Sequence, residues 1–261
     1  MVFPLFDDNS DRATTPIVNY TIIAINILVF VFLQGLGSNQ TFTYAFSTVP
    51  LEILTGHDVV TPTQVVIQPL TGQRVVIPGL QPTPFTPYIT LLTSMFMHGG
   101  IAHIAGNMLF LWIFGDNVED RLGHLRYLVF YLLTGIIASL AHVFSTALFA
   151  TDEAALLIPS LGASGAISGV LGGYIVFFPH RRVTVLLFRI LTVVPAWVAI
   201  GMWFAFQLIS GLGMLGSGSA QGGVAYAAHI GGFIAGLVLV KLFTLGRTPP
   251  RPGGYNVNER V

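Results

Sequence analysis

Cysteine is absent from this 261-residue chain and charge is scarce: only 8% of residues are charged, with eleven acidic side chains balancing eleven basic ones. Without cysteine there is no disulfide framework, no thiolate metal site and no thiol nucleophile. A formal net charge of zero with no cluster of Lys and Arg excludes nucleic acid as a partner, because phosphate recognition needs surplus cations in one place. Ordinary soluble domains carry about 25% charged residues. With 53% hydrophobic residues and a mean hydropathy of +0.77, the solvent for most of this chain is lipid.

What is present is a series of long apolar runs. A bilayer core about 30 Å thick takes roughly 20 apolar residues per helix, fewer where a helix starts below the surface. Six runs qualify: Ile17 to Leu33, Ile101 to Phe114, Leu125 to Phe149, Ala163 to Phe178, Ile190 to Gly211 and Val224 to Leu245. The first reads as a retained span rather than a cleaved signal, since its flank holds Asp7, Asp8 and Asp11 against Arg12 and no small-residue cleavage site follows.

Short cytoplasmic segments accumulate Lys and Arg. Arg12, Arg121, Arg126, Arg181, Arg182, Arg189, Lys241, Arg247, Arg251 and Arg260 all fall in the N-terminal segment, the second and fourth connections and the C-terminal end. Arg74 alone falls in the first, third or fifth connection. The expectation is an all-α membrane protein: a six-helix bundle over residues 17–245 with cytoplasmic segments over 1–16 and 246–261, both termini inside, in the cell membrane. The outer connection from Gln34 to about Gly100 is long, and its β-branched runs Gln64 to Gln68 and Arg74 to Pro78 suggest a small hairpin. Val49 to Thr55 suggests a short interfacial helix, and the glycine-rich stretch Ser210 to Gly223 reads as either a surface linker or a mobile cap.

Ionisable groups inside spans are functional suspects by default. All the Asp and Glu residues lie outside the six runs, so no intramembrane aspartyl dyad can form. There is no H-E-x-x-H motif, and His98 and His103, five apart, point about 140° away from each other around a helix, so no metal site is expected. The polar set that remains is His103 and Asn107 in the second run, His142 in the third, Ser164 and Ser168 in the fourth and His229 in the sixth. In the orientation above, the second, fourth and sixth helices all run from outside to inside. Residues near their starts therefore share the outer half of the bilayer.

Ser164 stands in Gly162-Ala163-Ser164-Gly165 at the start of a helix, where glycines admit a substrate carbonyl and first-turn N–H groups can donate to an oxyanion. The other reading is packing, because Gly165, Gly169 and Gly173 form a small-residue ridge. His229 precedes a matching ridge, Gly232 and Gly236, which can bring its imidazole within reach of a hydroxyl; alone it could simply bond a backbone carbonyl. His103 and Asn107 are four apart on one face, able to face an oxyanion or to bond another helix. His142 reads as structural, and His98, before Gly99-Gly100, could line the mouth of a site.

Together these segments resemble the rhomboid family of intramembrane serine proteases. His98-Gly-Gly-Ile-Ala-His103-Ile-Ala-Gly-Asn107 is similar to its H-x4-H-x3-N pattern, and Val118-Glu119-Asp120-Arg121-Leu122-Gly123 to the loop that follows. Gly162 to Gly165 is similar to its G-x-S-G and His229-Ile-Gly-Gly232-Phe-Ile-Ala-Gly236 to its H-x2-G-x3-G, in family order from about Ile17 to Leu245.

The resemblance implies a Ser164–His229 dyad, with Ser164 as nucleophile and His229 as general base and then acid. It implies an oxyanion site of His103, Asn107 and the Ser164 backbone N–H, with no cofactor and no third acidic residue. Glu119 and Arg121 would be structural. The implied substrates are transmembrane segments of membrane proteins with helix-destabilising residues near the cut, cleaved near the outer face.

Two departures stand out. The family's first-loop Trp-Arg pair is missing, since the tryptophans are Trp112, Trp197 and Trp203, and Ser168 replaces a Tyr that stacks on the catalytic His in some members. Ser168 shares a face with Ser164 and is the rival nucleophile. A catalytically silent rhomboid-like binder of transmembrane segments is the alternative function, and a small transporter a more distant one, for which no repeated halves are visible.

Overall fold

In a computed structural model the described residues are 2–67, 74–150, 152–187, 190–217 and 226–247. Strand β1 (Val2–Asp7) precedes helix α1 (Ile17–Leu28), which continues as a π turn over Val29–Leu33. The first connection holds α2 (Gln40–Ala45), α3 (Pro50–Thr55), strands β2 (Gln64–Ile67) and β3 (Arg74–Ile77), and α4 (Thr90–Thr93). Strands β2 and β3 pair antiparallel, and the turn expected between them lies outside the described residues. Then come α5 (Ile101–Leu122), α6 (His124–Phe149), α7 (Ser164–Phe177), β4 (Arg182–Leu187), β5 (Ile190–Pro195), α8 (Ala196–Ser217) and α9 (Tyr226–Phe243).

A helix thus stands at each of the six apolar runs. By length and composition α6 and α9 suffice to cross a membrane; a third span follows if Pro87–Phe96 and α5, bent by 80° at their break, count as one. α1 with its π turn, α7 and Ala196–Ser210 are shorter apolar helices.

α7 is the central helix, in contact with α5, α6 and α9. Residues Gly165 to Tyr174 are all buried. Its glycines admit close neighbours: a Cβ on Gly172 would run into the Phe233 carbonyl oxygen of α9, and one on Gly169 into the Thr134 side chain of α6. Close approach of this kind is what small residues provide where lipid, being itself apolar, supplies no hydrophobic drive between helices.

Polar crosslinks tie one end of the bundle together. Glu119, fully buried, accepts from the Val18 and Asn19 backbone N–H groups (3.0 and 2.6 Å) and so satisfies the free donors at the start of α1. Asn19 donates to the Leu111 carbonyl (3.0 Å) and accepts from the Tyr127 hydroxyl (2.7 Å), joining α1, α5 and α6. Asp120 accepts from Ala13 and Thr14, Arg12 pairs with Asp116 at 2.6 Å, and Arg181 grips Asp11 through both carboxylate oxygens at 2.6 Å. The Arg121 and Arg181 guanidiniums both sit against the Phe178 ring.

The all-α expectation misses a three-stranded antiparallel sheet of order β1-β4-β5. Its inner face carries Pro4, Val183 and Val185, all buried; Pro4 reaches Phe110, Leu171 and Trp203 between α5, α7 and α8. Its outer face shows Phe3, Phe6, Leu191 and Val193 to the surroundings. The fifth run is therefore not one helix from Ile190: Ile190–Pro195 is strand and the helix starts at Ala196. Val193 and Val194 favour the pleated conformation, and Pro195 cannot donate within a helix, whereas hydropathy is blind to both. At its other end α8 runs to Ser217, so the first half of the expected glycine-rich connection is helical; 218–223 lies outside the described residues.

Candidate active site

The segment that delivers Ser164 is held on both sides. Thr48 and Ser160 exchange backbone hydrogen bonds (2.9 and 2.8 Å), which fastens the approach to α7 onto the long first connection. Two residues later the Gly162 N–H donates to the Ser94 carbonyl (2.9 Å). Gly162 has φ +123°, a conformation reserved for glycine, and a Cβ there would meet the His103 ring at 2.8 Å. The chain turns at Gly162 and starts α7 at Ser164, whose first-turn N–H groups have no intrahelical acceptor.

α9 supplies His229. Gly232, one turn later, lies so close to α7 that a Cβ would sit 2.1 Å from the Gly165 carbonyl oxygen. This contact sets His229 Nε2 at 2.7 Å from Ser164 Oγ. Ser168 is fully buried, and its hydroxyl donates to the Ser164 carbonyl at 2.6 Å. Its proton is thus committed to the backbone one turn back, as is common for serine within helices.

Both residues of the second-run pair reach the same place. Ser164, His229, His103 and Asn107 line one cavity of about 470 Å³, with Ala138, Gly162, Trp203 and Gln207 among its other walls. The Gly99 N–H donates to His103 Nδ1 (3.3 Å), so in the neutral ring Nε2 carries the proton, on the side of Gly162. Asn107 is buried and its Nδ2 has no partner, which leaves an amide donor unspent beside the cavity.

His98 and His142 are not among the residues lining this cavity. His98 is fully buried with its backbone clamped by the Gln34 amide (2.9 Å in each direction), and its ring packs edge-on against Phe30 and His103. His142 stands on α6 one turn beyond the lining residues Ala138 and Ser139 and is not itself part of the lining.

Around His229 the aromatic partners come from unexpected helices. Ser168 stands where the resemblance leads one to look for a stacking tyrosine, and instead Trp203 of α8 and Tyr226 of α9 place their rings 5.9 and 6.4 Å from the imidazole. One turn after Trp203, Gln207 Oε1 lies 2.8 Å from His229 Nδ1. An inventory of ionisable groups and hydroxyls passes over Gln207. The available signal is a side-chain amide inside an apolar run, which in lipid needs a partner.

The Rhomboid domain family model matches residues 86–245. Among curated proteins, Rhomboid protein 1, mitochondrial, of Saccharomyces cerevisiae is 34% identical over 159 residues, 61% of this chain and 43% of that one. Rhomboid protease GluP of Bacillus subtilis is 37% identical over 143 residues, covering 54% of this chain and 26% of that protein. Rhomboid protease AarA of Providencia stuartii is 29% identical over 165 residues, 56% and 52% of the two chains. The chain thus spans between a quarter and about half of the length of these relatives.

Proposed function

This chain belongs to the rhomboid family of membrane proteins, and on that premise we propose that it is a serine endopeptidase cleaving transmembrane segments within the bilayer. The observation that carries the reading is the 2.7 Å contact between Ser164 Oγ and His229 Nε2, inside a cavity that also receives His103 and Asn107.

In this reading Ser164 gives its proton to His229 Nε2 as Oγ attacks the scissile carbonyl. The resulting oxyanion accepts from the His103 Nε2–H, the Asn107 Nδ2 amide and the Ser164 backbone N–H, donors set before any charge develops. His229 then returns the proton to the leaving amine, and water hydrolyses the acyl-enzyme with His229 again as base. No carboxylate takes part; none lines the cavity among the described residues.

Six spans with both termini cytoplasmic fit the distribution of Lys and Arg, and the cell membrane is the corresponding location. The site then lies toward the outer face, where α5, α7 and α9 begin. A helix already satisfies its own backbone, so the favoured substrate is a transmembrane segment with small or helix-breaking residues near the cut.

The test is cleavage of a transmembrane reporter in proteoliposomes by wild type and Ser164→Ala, together with fluorophosphonate labelling. Cleavage and labelling that both vanish in the variant support the reading. Reporter binding by a wild type that is neither labelled nor cleaving would make the chain a silent binder of transmembrane segments instead.

A further inference from the structure

We propose that Gln207 is a positioning residue for His229, holding the imidazole in the tautomer that can take the proton of Ser164. The inference rests on the serine-protease reading above and adds a third member to the Ser164–His229 pair.

For His229 to act as base, the nitrogen facing Ser164 Oγ, Nε2, must carry the lone pair, so the proton of the neutral ring must sit on Nδ1. In solution a neutral histidine prefers the opposite arrangement. A buried N–H also needs an acceptor, and His229 is only 9% exposed. Gln207 Oε1, at 2.8 Å and itself in a residue 7% exposed, is that acceptor.

The hydrogen bond made by one ring nitrogen decides what the other presents. With Gln207 accepting at Nδ1, the lone pair on Nε2 points at the serine 2.7 Å away. Trp203, one turn earlier on α8, stands beside the same ring and limits its rotation. An amide does this without charge. A carboxylate at this position would find its counter-cation only in the protonated imidazole, since no Lys or Arg lines the cavity among the described residues, and would hold that ring protonated to higher pH.

The experiment uses the full chain in proteoliposomes with three forms: wild type, Gln207→Leu and Gln207→Glu. Gln207→Leu keeps volume and removes the acceptor, so kcat on a transmembrane reporter falls by roughly tenfold, the rate equivalent of one lost hydrogen bond, while KM holds. Gln207→Glu restores an acceptor and adds charge beside the imidazole, so activity recovers above an acidic limb that has moved to higher pH. Selective 15N-histidine spectra read the tautomer independently of turnover: His229 carries its proton on Nδ1 in wild type and loses that preference in Gln207→Leu.

Equal kcat in wild type and Gln207→Leu, or equal losses in both variants with the acidic limb unmoved, would overturn the proposal. A wild type showing the Nδ1–H tautomer but no fluorophosphonate labelling would instead overturn the protease reading and leave the Gln207 contact standing.

Discussion

Gly232 of α9 lies backbone to backbone against Gly165 of α7, and the relation recurs one turn on, where a Cβ at Gly236 would come within 2.0 Å of the Gly169 carbonyl oxygen. Ser164 immediately precedes one member of this pair and His229 is three residues before the other. The packing contact and the Ser164–His229 contact are therefore one piece of geometry seen at two points.

Gly232→Ala tests that coupling. The added methyl has no space except by separating the helices, an overpacking cost of about 1–3 kcal/mol. The melting temperature in detergent should fall, and fluorophosphonate labelling of the surviving folded protein should fall with it. Gly201→Ala on α8 is the control, since nothing stands within 4 Å of its added Cβ. A Gly232→Ala protein that is destabilised but labelled at the wild-type rate would uncouple packing from the site.

The two serines of α7 separate cleanly by partner. Ser164 faces His229, while Ser168 donates to the Ser164 carbonyl. Ser164→Ala should abolish reporter cleavage and labelling. Ser168→Ala removes one local hydrogen bond, worth about 1 kcal/mol, and should stay within several-fold of wild type. Labelling lost in Ser168→Ala and kept in Ser164→Ala would reverse the assignment.

Asn107 holds a buried amide donor with no partner in the resting protein. A group left unsatisfied at such a place is suited to charge that arises only during reaction. Asn107→Ala and His103→Ala should each lower kcat by something on the order of 10²-fold with little change in KM. Gly162→Ala should do comparable harm indirectly, since its Cβ meets the His103 ring at 2.8 Å and its φ of +123° resists any side chain. A KM effect alone in these variants would argue for substrate binding over oxyanion stabilisation.

Much of this was legible in the linear sequence. Hydropathy locates a helix at every one of the six runs, and for α6 the expected start, Leu125, is one residue from the observed His124. The glycine ridges of α7 and α9 and the polar set His103, Asn107, Ser164 and His229 are visible in one chain because lipid makes polar residues conspicuous. The sheet was not legible. Its strands are six residues each and hydrophobic on both faces, so β5 merges with the helix after it and β1 hides in a segment marked mainly by its charges. Gln207 was hidden for another reason: nothing local distinguishes an amide that orients a histidine 22 positions away from one that bonds its own helix.

The charged end of the bundle makes a prediction of a different kind. Asp7, at the end of β1, accepts from the Tyr174 hydroxyl (2.7 Å) and the Asn117 amide (2.8 Å). Burial, reinforced by the Asp116 carboxylate, pushes the Asp7 carboxyl up to about 7, against the opposing pull of the Tyr174 hydrogen bond and of Arg181. A carboxyl raised in this way binds its proton more tightly in the folded protein than in the unfolded chain, where its value is about 3.9. Its contribution to stability is therefore fully present below about pH 4 and is lost as pH rises through about 7. Between pH 5 and pH 8 the wild-type melting temperature should fall. Asp7→Asn, which keeps a carbonyl acceptor for the two donors and cannot ionise, should fall less, so that the variant gains on wild type as pH rises. Parallel melting curves for the two proteins across that range would show that Asp7 is already ionised in the folded state and that the network around Tyr174 holds a carboxylate, not a carboxylic acid.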